Sequence, residues 1–235
     1  MKQRIWELDA LRGICILGMV AVHFLFDLVD VYALVQWNYP PFVNFLFEWG
    51  GVIFILISGI CATLGSRSVR RGLIVFLCGL LCTAVTWGCA QVGLVDSWVI
   101  IQFGVLHCLG VCMILWWLFK RLNTPVLAVC SVVLIGLGLW FDTFQVTVTW
   151  LMPLGLQYPG FSSGDYFPLL PHLGFFLLGG VLGRLLYKRK TSLLPKVDHL
   201  QPVLRFLQFC GRQSLWIYLL HQPILSGIFM ILSSL

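Results

Sequence analysis

Long apolar runs separated by short polar connections dominate the chain. Each run is close to the roughly 20 residues that a helix needs to cross the hydrocarbon core of a bilayer. The pattern predicts an all-α fold, a polytopic membrane helix bundle of about seven transmembrane helices that forms a single domain over residues 1–235. The predicted spans are residues 10–34, 49–65, 72–93, 98–119, 124–141, 167–187 and 207–232.

The basic residues, 15 Lys and Arg in all, lie at alternate connections along the chain or at the span ends next to them. They are Lys2, Arg4, Arg12, Arg67, Arg70, Arg71, Lys120, Arg121, Arg184, Lys188, Arg189, Lys190, Lys196, Arg205 and Arg212. The opposite connections carry acidic residues and no Lys or Arg. Because cytoplasmic connections of membrane proteins are enriched in Lys and Arg, the partition predicts a cytoplasmic N-terminus and an extracytoplasmic C-terminus. We expect a multi-pass protein of the cell (inner) membrane.

The composition agrees with a membrane protein, since 60% of the residues are hydrophobic and 10% are charged, against about 25% charged residues in soluble domains. The nine Cys lie inside apolar runs, which favours reduced packing residues. The net charge of +6 follows from the topology and gives no support for nucleic-acid binding. Gly179 and Gly183 form a G-x-x-x-G motif that predicts close helix packing. The connection 142–166 is either an interfacial loop or a lid over an outward-facing pocket.

The first span carries a stripe of polar residues. Arg12, His23 and Asp27 fall on one helical face because their separations are close to whole numbers of turns. Arg12 lies at the cytoplasmic edge, and His23 lies about 16 Å deeper. Ionisable groups at membrane depth are costly and are therefore functional candidates. The spacing predicts that the Asp27 carboxylate fixes the tautomer of the His23 imidazole, which favours His23 as a general base or nucleophile.

Other spans place further polar groups at similar depth. His107 and His221 lie near the predicted midplane, whereas His172 lies nearer the outer surface, close to Asp165. One face of the last span carries Ser214, Tyr218, His221 and Gln222. Each of the three histidines either ties two helices together or serves a site. They could also hold a metal or haem, but the chain has no paired metal-ligand motif, and we expect no metal.

Five stretches carry a family resemblance. They are RIWELDALRGICILGMVAVHFLFD at 4–27, GGVIFILISGICATLG at 50–65, IIQFGVLHCLGV at 100–111, DYFPLLPHLGFFLLGGVLGR at 165–184 and GRQSLWIYLLHQPIL at 211–225. Together they resemble the transmembrane acyltransferases, in particular the catalytic domain of bacterial relatives of heparan-alpha-glucosaminide N-acetyltransferase. LDALRG with a His eleven residues after the Arg is also similar to the membrane acyltransferases that O-acetylate surface glycans.

The resemblance implies an enzyme that moves an acetyl group from cytoplasmic acetyl-CoA to an extracytoplasmic glycan or amino sugar. It implies that Arg12 and His23 match the conserved Arg and the catalytic His of the glycan O-acetyltransferases. The catalytic candidates are His23, Asp27, His221 and His107. The candidates for binding acetyl-CoA are Arg12, Arg184, Arg212, Tyr218 and Ser214, because cytoplasmic guanidinium groups suit its phosphates. The candidates for binding the acceptor are Asp165, His172 and Gln222.

Two other functions use the same residues. A transporter or proton-coupled channel could use the polar stripe, although the chain shows no internal repeat of the kind found in many transporters. A metal or haem protein could use His23, His107 and His221 as ligands. For the acyltransferase, both an acetyl-His intermediate and direct transfer are open, and so is the identity of the acceptor. A homo-oligomer that encloses the site is a further expectation.

Overall fold

The computed structural model describes residues 5–195, 197 and 200–233. Lys2, Arg4 and Lys196, on which the predicted topology partly depends, lie outside the described residues. The described part of the chain forms eight α-helices and contains no β-strand. The helices are α1 (Trp6–Phe26), α2 (Pro41–Leu64), α3 (Ser68–Gln91), α4 (Val105–Phe119), α5 (Thr124–Phe141), α6 (Leu169–Leu186), α7 (Pro202–Arg212) and α8 (Ser214–Ser233). One π-helical turn, Asp27–Val31, continues α1.

Six helices are long and apolar enough to cross a membrane, and α4 is a shorter apolar helix. The six are α1 with its π-helical turn, α2, α3, α5, α6 and α8. The prediction of a multi-pass helical membrane protein is therefore confirmed. All nine cysteines are free thiols, as predicted for packing residues within the spans.

The last predicted span differs from the structure because the chain breaks at Gln213 and forms two helices, α7 and α8. The short α7 is amphipathic: Val203 and Phe206 are exposed, whereas Gln208 and Cys210 are buried. An amphipathic helix with basic residues suits the membrane surface rather than the bilayer core. The predicted span 207–232 is therefore too long at its N-terminal end, because its first residues belong to α7.

The described residues pack as two compact units. The first unit contains Met1–Ile57 and Arg189–Leu235, and the second contains Ser58–Lys188. In the first unit, α7 and α8 pack on α1. A Cβ on Gly13 would clash with the carbonyl oxygen of Leu207, and one on Gly211 would clash with the carbonyl oxygen of Asp9. The backbones of α1 and α7 are thus in direct contact, which brings the start of α8 beside α1.

The second unit is built from two helix pairs, α3 on α4 and α5 on α6. The C-terminal part of α2 packs on α6 through glycines: a Cβ on Gly59 would clash with the carbonyl oxygen of Phe176. One on Gly183 would lie 2.7 Å from Oγ1 of Thr63. The close packing predicted from the G-x-x-x-G motif of α6 is confirmed.

Candidate functional site

The candidate site is a column of polar side chains between α1 and α8 in the first unit. At the end of the column nearer the N-terminus of α1, Nη2 of Arg12 donates to Oγ of Ser214 at 2.6 Å. The guanidinium carbon lies 5.9 Å from the centre of the Phe54 ring, within the range of a cation–π contact. Nε of Arg12 is buried and has no hydrogen-bond partner among the described residues. One edge of the guanidinium is therefore anchored, and a donor remains for an anionic ligand.

Further along α1, His23 meets His221 of α8 with their ring centres 4.9 Å apart and their planes at 65°. The Nδ1–H of His221 donates to the carbonyl of Tyr218 at 2.6 Å. Because a carbonyl only accepts, this contact places the lone pair of the neutral ring on Nε2. Nε2 is buried and has no partner in the described part of the chain. A buried acceptor without a partner is costly, so this atom marks a position that can receive a proton from a ligand.

The third pair joins Asp27 and Gln222. Nε2 of Gln222 donates to both carboxylate oxygens of Asp27, at 3.1 and 3.0 Å. This differs from the predicted contact between Asp27 and His23. Asp27 opens the π-helical turn, in which the N–H of Tyr32 donates to the Asp27 carbonyl at 2.9 Å. This turn begins after the His23–Asp27 step: the N–H of Asp27 donates to the carbonyl of His23, as in an α-helix. The two residues therefore keep the predicted spacing, and the carboxylate is taken by an amide of α8 instead.

His107 lies in the second unit and is almost fully buried. The N–H of Gly104 donates to its Nδ1 at 3.2 Å, so the ring proton is on Nε2, which lies 3.4 Å from Oγ1 of Thr83. The Thr83 hydroxyl donates in turn to the carbonyl of Ile101 at 2.6 Å. Both ring nitrogens are used to join α3 to the start of α4, which leaves neither for a substrate.

Asp165 and His172 also lie in the second unit, on either side of the start of α6. Oδ2 of Asp165 accepts from the N–H of Val105 at 2.9 Å and so caps the N-terminus of α4, where a negative charge is favoured. The Nδ1–H of His172 donates to the carbonyl of Pro168 at 2.7 Å. Nε2 of His172 therefore keeps the lone pair of the neutral ring.

Arg184 ends α6, and its guanidinium donates to two backbone carbonyls of the connection between α4 and α5. The acceptors are Leu122 at 2.7 Å and Lys120 at 2.9 Å. Arg212, in contrast, is exposed at the end of α7 in the first unit. Of the two, Arg212 has the guanidinium that is more open to a solvent ligand.

The structure thus brings together seven of the predicted residues in the first unit, around the column. They are Arg12, His23, Asp27, Ser214, Tyr218, His221 and Gln222. The sequence prediction missed Phe54, and it missed the backbone contact made by Gly13 and Gly211. The sequence does contain a signal for this backbone contact. Gly13 follows Arg12 in the motif LDALRG, and Gly211 precedes Arg212 in GRQS. Within the described ranges, no three His, Cys, Asp or Glu side chains are grouped as a metal site.

The family model described as "Heparan-alpha-glucosaminide N-acetyltransferase, catalytic" matches residues 4–223. The match therefore includes every residue of the column. Neither the curated proteins nor the solved structures include a significant match.

Proposed function

The chain belongs to the heparan-alpha-glucosaminide N-acetyltransferase catalytic family, and we propose from this premise that it transfers acetyl from cytoplasmic acetyl-CoA to an extracytoplasmic sugar or amino sugar. The family indicates a transmembrane acetyltransferase. The observation that carries the finer proposal is the column itself, which runs from a partly unpaired guanidinium to two imidazoles inside membrane-spanning helices.

The donor end of the proposed reaction is the Arg12 end of the column. The nucleotide part of CoA is polyanionic, and a guanidinium offers paired donors to phosphate. Ser214 is 3% exposed and orients Arg12, while the exposed Arg212 adds a second positive charge in the same unit. The distance of about 16 Å along α1 from Arg12 to His23 suits a ligand with charge at one end and its reactive group at the other.

The chemistry takes place at His23. In direct transfer, His23 removes a proton from the acceptor as the acceptor nitrogen or oxygen bonds to the acetyl carbon. The carbon–sulfur bond breaks, and the sulfur of CoA takes up the proton. In the two-step route, His23 bonds to the acetyl group first and the acceptor displaces it. Either route moves one proton from acceptor to sulfur, and Nε2 of His221 can hold it on the way.

Replacement of His23 tests the proposal. We expect His23→Ala to lower acetyl transfer by roughly 10²–10⁴-fold, the usual contribution of a general base. The protein should still insert and keep its unfolding temperature, because the His23 ring packs at a partly open position. Transfer is measured with labelled acetyl-CoA and a panel of sugars in proteoliposomes.

The matched control is His199→Ala, which removes a histidine from the basic connection before the last predicted span and should leave transfer unchanged. Undiminished transfer by the His23 variant would refute the role of this residue. Movement of a sugar across the membrane without consumption of acetyl-CoA would identify a transporter instead.

A further inference from the structure

An apolar groove lies in the first unit, where α8 packs beside α1 and α7. Its volume is about 640 Å³, which is within the roughly 300–1,000 Å³ of ligand sites. Val20 of α1 and Phe209 of α7 form two of its walls, and α8 forms the third. Gln213 and His221 are the only polar side chains among the described residues that line it. The groove therefore suits a hydrocarbon ligand, and His221 connects it to the column.

The α8 wall of the groove is open on one side. Trp216, Leu220 and Ile224 recur every fourth residue along α8 and so share one helical face, and all three are exposed. Because α8 is long and apolar enough to cross a membrane, this exposed face lies against lipid chains in a bilayer. A lipid chain can therefore enter the groove sideways from the hydrocarbon core.

The length and the lining of the groove distinguish a lipid chain from the arm of CoA. Between Gln213 and Leu225, which both line the groove, α8 rises about 18 Å. This length is close to half of the roughly 30 Å hydrocarbon core of a bilayer, the share of one leaflet. The arm of CoA contains amide groups, and apolar walls would leave their hydrogen bonds unmade at a cost in free energy. An acyl chain has no polar groups to satisfy.

The end of the groove at α7 carries positive charge. Arg205 precedes Phe209 by four residues and Arg212 follows it by three, so the three share one face of α7, and all are exposed. α1 packs on another, buried face of α7, where a Cβ on Gly211 would meet the carbonyl oxygen of Asp9. The sequence contains no Asp or Glu from residue 200 onward. A phosphate at this end of the groove would therefore meet guanidinium groups and no carboxylate of α7 or α8.

We propose that the groove binds an acyl chain of an anionic phospholipid from the leaflet next to α7, with the lipid phosphate on Arg205. Arg212 adds attraction from the same face, and the chain runs along α8 to His221. The rings of His221 and His23 have their centres 4.9 Å apart. The bound chain therefore supplies a hydrocarbon wall beside this pair of imidazoles. The site does not depend on the proposed function, because lipid binding requires no acetyl transfer.

Quenching of Trp216 fluorescence tests the groove, because bromine atoms on a lipid chain quench a tryptophan that they touch. The full chain is reconstituted in phosphatidylcholine vesicles that contain equal fractions of brominated phosphatidylcholine or brominated phosphatidylglycerol. Subtracting the signal of Trp216→Phe removes the contribution of the other tryptophans. We expect phosphatidylglycerol to be preferred at Trp216 by roughly fivefold or more, the effect of one basic residue on an anionic lipid.

Three variants locate the lipid, each measured with and without Trp216→Phe. Arg205→Gln should lower the preference by roughly fivefold, whereas Arg70→Gln, the same change at an exposed position in the second unit, should leave it unchanged. Val20→Phe should fill the groove from α1 and lower quenching of Trp216 by both lipids, although it keeps both arginines of α7.

Equal quenching of Trp216 by the two lipids, or a preference that survives Arg205→Gln, would overturn the inference. Unchanged quenching in Val20→Phe would also overturn it, because the lipid would then be held on the surface of α7 and not in the groove. If Val20→Phe does not fold, the exposed Arg205→Gln still decides the matter.

Discussion

At the scale of single residues, two arginines with the same predicted role have different surroundings. Arg12 gives one hydrogen bond to Ser214 and keeps a buried Nε without a partner among the described residues. Arg184 gives its donors to two backbone carbonyls, and its guanidinium lies 5.6 Å from the Trp116 ring centre. The environment of Arg12 suits ligand binding, whereas that of Arg184 suits a structural contact.

This difference predicts that replacing Arg12 and replacing Arg184 with an uncharged residue have different effects on kinetics and stability. Arg12→Gln should raise the KM for acetyl-CoA by roughly tenfold or more, because a charged hydrogen bond to the ligand is lost, and its loss of stability should be limited to the single hydrogen bond to Ser214. Arg184→Gln should lower the free energy of unfolding by about 1–3 kcal/mol, because two backbone carbonyls lose their charged donor. Steady-state kinetics measure the KM of both variants, and thermal unfolding measures their stability. An unchanged KM for Arg12→Gln would place the acetyl-CoA site elsewhere.

The histidines show the same dependence on surroundings. The ring nitrogens of His107 both have partners, whereas Nε2 of His221 has none among the described residues. The sequence does not distinguish the two residues, because each is a single histidine near the predicted midplane. Only the backbone groups around each ring distinguish a histidine that joins two helices from a candidate site residue.

At the scale of elements, the position of α8 depends on how closely α7 approaches α1. Gly13 and Gly211 allow their backbones to touch, and the break at Gln213 then starts α8 with Ser214 against Arg12. The column is therefore assembled by a helix that is itself too short to span the membrane.

Substitution of one glycine tests this arrangement. In Gly211→Ala the new methyl group would meet the Asp9 carbonyl, so we expect a loss of stability of about 1–3 kcal/mol, as for other overpacked sites, together with a higher KM for acetyl-CoA. Gly18→Ala is the control, because no atom lies within 4 Å of the position that its Cβ would take, and it should be neutral or stabilising. Equal unfolding temperatures and kinetics for the two variants would show that the close approach is dispensable.

At the scale of the whole molecule, the proposed function needs the donor and the acceptor on opposite sides of the membrane. The described basic residues lie in alternate connections, in the helical turns that adjoin them or in the short α7. The predicted orientation, with the N-terminus in the cytoplasm, is thus compatible with the helix bounds and stays a prediction.

Reporter fusions test the orientation. Alkaline phosphatase, which folds only outside the cytoplasm, should be active when fused after Leu235 or within the connection 142–166. It should be inactive when fused after Leu122, where a green fluorescent protein should instead be fluorescent. The reverse pattern would place the Arg12 end of the column outside the cell and rule out cytoplasmic acetyl-CoA as the donor.

Much of the fold could be predicted from the chain because membrane helices follow from local properties. Each run of apolar residues forms a helix by its own hydrogen bonds and is long enough to cross the bilayer. The period of 3.6 residues likewise places Arg12 and His23 on one face of α1. These conclusions need no knowledge of neighbouring helices.

The sequence by itself therefore determined the apolar helices, the alternation of charge and the polar stripe of α1. Tertiary structure alone decided that Asp27 pairs with Gln222, that His23 meets His221 and that Arg12 is anchored by Ser214. Each pair joins residues about 200 positions apart, and each depends on the helix break and glycine contact that position α8. Periodicity describes one helix at a time, whereas a site between helices depends on which faces pack together.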